Sequence, residues 1–82
     1  MQQVNRNGVS MPISAEQVRM ARALLRWSVR ELAKRAKVAP GTIVRIEAKF
    51  AAKPATLKAV EGALRRGGAA FSRAGGVKAR RP

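Results

Sequence analysis

Val29–Lys49 reads VRELAKRAKVAPGTIVRIEAK, two short helical patterns with a break between them. Ser28-Val29-Arg30-Glu31 before it has the form of a capping box, with Ser28 accepting from the Glu31 amide and the Glu31 side chain reaching back. Val29, Leu32, Ala33 and Ala36 then fall on one helical face. Lys37-Val38-Ala39 interrupts the rhythm, and Pro40 opens a second helix at a position where a missing N–H costs nothing. In that helix Ile43, Ile46 and, just beyond it, Phe50 are expected to point one way. Gly41, Arg45 and Ala48 point the opposite way, with Thr42, Val44 and Lys49 on the flanks. A face of small residues around one long cation suits a helix that approaches base edges in a major groove, where bulk is a handicap and Arg an asset. The bland alternative is a helical hairpin whose outer face is merely solvated.

Composition narrows the choice. Eighty-two residues make one small domain, whose core is marginal by itself, so oligomerisation is the expected source of extra stability. With no Cys and no His there is no disulfide and no usual zinc site, and no cofactor is expected. The net charge of +14, from 18 Lys and Arg against 4 Asp and Glu, calls for a polyanion. Nucleic acid comes first and an anionic membrane second. A membrane-lying helix needs a strong apolar face, whereas the modest stripes here would be consumed by an internal core. No apolar run reaches transmembrane length, and MQQVNRNGVSMP lacks the apolar centre of a signal peptide, so a cytoplasmic protein is expected. An enzyme is not: His, Cys, Tyr, paired carboxylates and a glycine-rich phosphate loop are all missing.

Taken in order, residues 1–12 read as a polar, flexible arm in which Arg6 is a candidate phosphate contact. Ser14-Ala15-Glu16-Gln17 is a second capping box that starts a helix at about Ala15, with Val18, Ala21 and Leu25 inward and an end near Arg26. Trp27, the only Trp, is expected in the core. Glu47 lies one turn after Ile43, and Arg22 one turn after Val18, both on inward edges. A carboxylate near a core needs a partner, and a bidentate Arg is the best available, so an Arg22–Glu47 bridge is predicted. Residues 50–54 form a loop, and a fourth helix runs from about Ala55 to Arg66, capped by Gly67. Beyond it, Ala69-Ala70-Phe71 and Val77-Lys78-Ala79 form two short strands about a Gly75-Gly76 turn, or else belong to a disordered basic tail. An isolated hairpin this small is unstable in water, but pairing with a second subunit would rescue it. Arg73, Lys78, Arg80 and Arg81 would add charge near DNA.

Arg22, the stretch from Ser28 to Lys49, and Pro54 resemble the Cro/C1-type (Xre) helix-turn-helix of phage repressors. The resemblance spans roughly Ile13 to Leu64 and rests on Glu31-Leu32-Ala33, Val38, Thr42-Ile43 and Ile46-Glu47 together. It implies an all-α, lambda-repressor-like bundle of about four helices, with room for a short C-terminal β segment. Arg22 and Glu47 match the family's interhelical salt bridge. Pro40, Gly41, Thr42, Val44 and Arg45 match positions that face DNA: Arg45 one that reads bases, Thr42 one near a phosphate. Lys53 falls in the loop that grips the DNA backbone. The departures are informative too. Val29 replaces a phosphate-holding Gln, a role left to Arg30. Arg26, Lys37 and Lys49 replace glycines, at about 1 kcal/mol each if the backbone stays left-handed, and Ala39 replaces a Ser or Thr cap.

The sequence thus points to residues 1–12 as an arm, 13–67 as a helix-turn-helix domain and 68–82 as a basic dimerisation strand or tail. The expected function is a homodimeric, sequence-specific regulator of double-stranded DNA, most simply a repressor at an inverted-repeat operator. Gly41, Thr42, Val44 and Arg45 would read bases, while Arg30, Lys37, Pro40, Lys49 and Lys53 would meet phosphates. Two other readings stay open: a regulator that binds another regulatory protein, of antitoxin or antiactivator type, and a nonspecific architectural nucleic-acid binder.

Overall fold

The computed structural model describes residues 13–80; the expected arm at 1–12 and Arg81 lie outside them. The order is α1 (Ala15–Leu25), α2 (Val29–Ala36), α3 (Pro40–Glu47), α4 (Pro54–Gly67), β1 (Ala69–Phe71) and β2 (Val77–Ala79).

The first three helices end in the same way. Arg26, Lys37 and Lys49 are left-handed, with φ of 59°, 61° and 71°. In each case the left-handed N–H bonds three residues back and the next N–H five residues back, as in Trp27 N–H to Arg22 O at 2.9 Å, Val38 to Ala33 at 2.9 Å and Phe50 to Arg45 at 2.9 Å. These are Schellman endings, which satisfy carbonyls that the helix leaves free and turn the chain sharply. The strain of a β-carbon there is offset by those bonds.

Such turns fold α1–α4 around one core. Val18, Leu32, Ile43, Val60 and Leu64 are fully buried, with Ala21, Ala33, Ala36, Ile46, Ala63 and Ala69 around them. Trp27, expected inside, is half-buried: it packs against the core at one face and carries the Arg35 guanidinium 4.3 Å from the ring centroid on the other. Burial of an aromatic body beneath an exposed cation stabilises both.

Several local expectations need correction. Ser14 and Gln17 form both halves of a capping box, but at Ser28 only the hydroxyl half exists, because the Glu31 carboxylate pairs with Arg35 one turn on. The fourth helix takes in Pro54 and Gly67, and its left-handed cap is Gly68 (φ 114°) rather than Gly67. Phe50 is 56 % exposed and lies outside the core, since the left-handed Lys49 swings it away from the line of Ile43 and Ile46.

Residues 69–79 are ordered, against the tail reading, and pair antiparallel with Ala69 opposite Ala79 and Phe71 opposite Val77. The hairpin survives because it is docked within its own chain. Gln17 Nε2 donates to the carbonyls of Ser72 (3.1 Å) and Gly76 (3.2 Å), holding the turn against α1. Arg80 donates to the Arg65 carbonyl at the end of α4 (2.8 Å), the Arg65 guanidinium covers the Phe71 ring at 5.1 Å, and Ala69 is fully buried.

Candidate nucleic-acid interface

α3 is braced from behind by α1. Arg22 Nε donates to Glu47 Oε2 at 2.8 Å and Arg22 Nη2 to Oε1 at 3.0 Å, a two-toothed bridge with side-chain exposures of 24 % and 10 %. The hydrogen bond to Glu47 raises the Arg22 pKa, outweighing desolvation, so the guanidinium stays charged. Arg22 Nη1 also reaches the Trp27 carbonyl at 3.2 Å, tying the bridge to the α1–α2 corner.

Two further α1 residues grip the same end of α3. Arg19 Nη1 donates to the Glu47 carbonyl at 2.8 Å, and Glu16 pairs with Lys49 Nζ at 2.7 Å. Sequence reasoning missed both, although Glu16, Arg19 and Arg22 recur every three residues and so share one side of a helix. A cation on a helix C-terminal carbonyl is favoured by the helix dipole, which supports the Arg19 contact. The Lys49 hydrogen bond lowers the Glu16 pKa.

Bracing leaves one side of α3 free. Ile43, Ile46 and Glu47 are buried, whereas Gly41, Val44, Arg45 and Ala48 are exposed. Pro40 starts the helix in the open, Thr42 is half-buried on the flank, and Ala39 makes no side-chain capping bond. A β-carbon on Gly41 would meet nothing within 4 Å, so the chain's own packing does not require glycine there.

The remaining cations sit around this helix in different roles. Arg30 is exposed in the first turn of α2, Lys37 at the α2–α3 corner and Lys53 at the start of α4. Lys49 is exposed but engaged by Glu16. The four side-chain carboxylates of the chain are each taken, Glu16 by Lys49, Glu31 by Arg35, Glu47 by Arg22 and Glu61 by Arg65. Arg30, Lys37, Arg45 and Lys53 therefore have no carboxylate partner among the described residues. Arg45 instead lies over the Phe50 ring, 4.8 Å from its centroid.

Among the described residues no group of His, Cys, Asp or Glu could hold a metal, and no helix is long and apolar enough to cross a membrane. No curated protein matches the chain. The helix-turn-helix family model matches residues 18–71, which takes in all four helices and β1 but for the first turn of α1. That match covers more than half of the sequence and agrees with the turn that joins α2 to a braced α3. The chain belongs to the Cro/C1-type (Xre) helix-turn-helix family and is a DNA-binding transcription regulator.

Proposed function

We propose that the protein is a sequence-specific repressor that binds an inverted-repeat operator as a homodimer. The observation that carries this is the exposed side of α3. Gly41, Val44 and Ala48 are small enough to let the helix approach base edges, and Arg45 stands among them without a carboxylate partner. Arg45 donates two parallel hydrogen bonds to a guanine edge, and Val44 and Thr42 offer methyls to thymine. Gly41 serves the approach to DNA, since nothing in the fold needs it. Arg30, Lys37, Lys53 and, once released from Glu16, Lys49 meet phosphates, with the first turn of α3 at Pro40 alongside.

The free edge of the hairpin supports the dimer reading. The bonds Ser72 N–H to Gly76 O and Arg80 N–H to Gly68 O put the paired backbone groups at even positions. The N–H and C=O of Val77 and Ala79 therefore point away from β1, an unpaired edge that a second copy would extend. A two-fold dimer presents two α3 helices to half-sites about one helical turn apart, and covering a promoter represses it.

The test is equilibrium binding to a duplex selected from a random pool and to a scrambled duplex, at two salt concentrations. Arg45→Ala should weaken the selected site about 10- to 100-fold and the scrambled one far less. Lys53→Ala should weaken both alike and reduce the salt slope by about one. Equal affinity of the wild-type chain for unrelated duplexes would mean an architectural binder instead.

A further inference from the structure

We infer that Phe50 is a specificity-determining positioning residue, which stacks on Arg45 and so presents the edge of its guanidinium to DNA. The inference rests on the reading of Arg45 as the base contact. It starts from the end of α3. Lys49 is left-handed at φ 71°, Lys49 N–H bonds Ile46 O at 3.0 Å, and Phe50 N–H bonds Arg45 O at 2.9 Å. That ending sets residue 50 beside residue 45, where other helices place a contact between two apolar side chains. Here the pair is an aromatic ring and a cation, 4.8 Å apart.

Phe50 has no place in the core. It is 56 % exposed and is not among the apolar side chains that pack on the buried cluster. A large ring left at the surface of so small a domain calls for a purpose, and its visible contact is the guanidinium of Arg45. Among the described residues Arg45 has no carboxylate partner, since all four side-chain carboxylates are engaged elsewhere. With its carbon over the ring, the guanidinium can stack flat on Phe50, an arrangement that leaves its N–H edge open. An open planar edge matches the two acceptors of guanine, which lie in one plane. It does nothing extra for a phosphate met from any direction. Arg45 also surrenders less side-chain freedom on binding, because part is already lost in the stack. The strained Lys49 backbone is thus tied to function: it is the turn that brings ring and cation together.

The experiment compares wild type, Phe50→Leu, Phe50→Tyr, Arg45→Ala and the Phe50→Leu/Arg45→Ala pair on selected and scrambled duplexes at two salt concentrations. Phe50→Leu should lower the selected-to-scrambled ratio about threefold, leaving the salt slope and melting temperature as in wild type. Phe50→Tyr should keep the ratio, and Phe50→Leu should lose nothing further once Arg45 is Ala. An unchanged ratio in Phe50→Leu, or an equal loss with and without Arg45, overturns the role of Phe50 while Arg45→Ala still lowers the ratio. If Arg45→Ala itself leaves the ratio intact, the base-reading assignment fails, and the role of Phe50 with it.

Discussion

Gly67, in the last turn of α4, faces the indole of Trp27 so closely that a β-carbon there would fall 2.6 Å from Cζ2 and 3.0 Å from Leu25 Cδ1. The two ends of the bundle, the α1–α2 corner and the start of the hairpin, meet at this contact. Gly67→Ala should destabilise the fold by about 1–3 kcal/mol in urea unfolding despite the better helix propensity of Ala. Trp27→Phe in the same chain should recover part of that loss. If Gly67→Ala proves as stable as wild type, the corner is looser than the structure has it.

The Arg22–Glu47 bridge makes a second prediction. Glu47→Ala leaves a mostly buried guanidinium without its partner and should cost about 3 kcal/mol, the low end for buried pairs because Arg22 still reaches solvent. Arg22→Ala should cost a similar amount, and the double substitution clearly less than the sum. Additive losses would show that the two side chains act separately.

Lys37→Gly and Lys49→Gly relieve left-handed strain and should each raise stability by about 1 kcal/mol. If these lysines meet phosphates, each change should also weaken DNA binding and flatten its salt dependence. Stabilisation with affinity and salt slope unchanged would refute the phosphate role. Lys49→Gly should stabilise less than Lys37→Gly, because it also removes the pair with Glu16.

The same pair sets a pH dependence. Lys49 lowers the Glu16 pKa below its usual 4.5 in the folded protein, so Glu16 contributes stability that is present above 4.5 and lost as pH falls through the depressed folded value. The effect is small, since both side chains are exposed and salt screens them. An NMR titration of Glu16 should show the lowered midpoint in wild type and a return toward 4.5 in Lys49→Gly.

Gln17 joins the α1 cap to the hairpin turn. Gln17→Ala removes the side-chain half of the capping box and both side-chain bonds to the hairpin turn, whose carbonyls keep their backbone partners, and should cost about 1 kcal/mol. Amide exchange should accelerate first at Ser72, Gly75 and Gly76. Uniform exchange along the chain would argue against a local anchor.

The helices and their inward residues were legible because each repeats an apolar position every three to four residues, a pattern that local geometry alone turns into a buried stripe. The exposed side of α3 followed as its complement, and the bridge from two charges on inward edges. What periodicity could not reach was any contact made where the period stops. Phe50 continues the apolar rhythm of Ile43 and Ile46 on paper, yet a left-handed Lys49 ends that rhythm one residue earlier and carries the ring to Arg45. Gly67 looked like a cap, and only the indole packed against it shows why glycine stands there. Glu16, Arg19 and Gln17 stand in a helical turn that says nothing of its partners 28 to 59 residues away. The sequence by itself determined the helix-turn-helix, its core and its charge, since these depend on neighbours along the chain. The tertiary structure decided how α3 is braced, what holds Arg45 and why the hairpin stands, because those contacts join residues whose closeness exists only after folding.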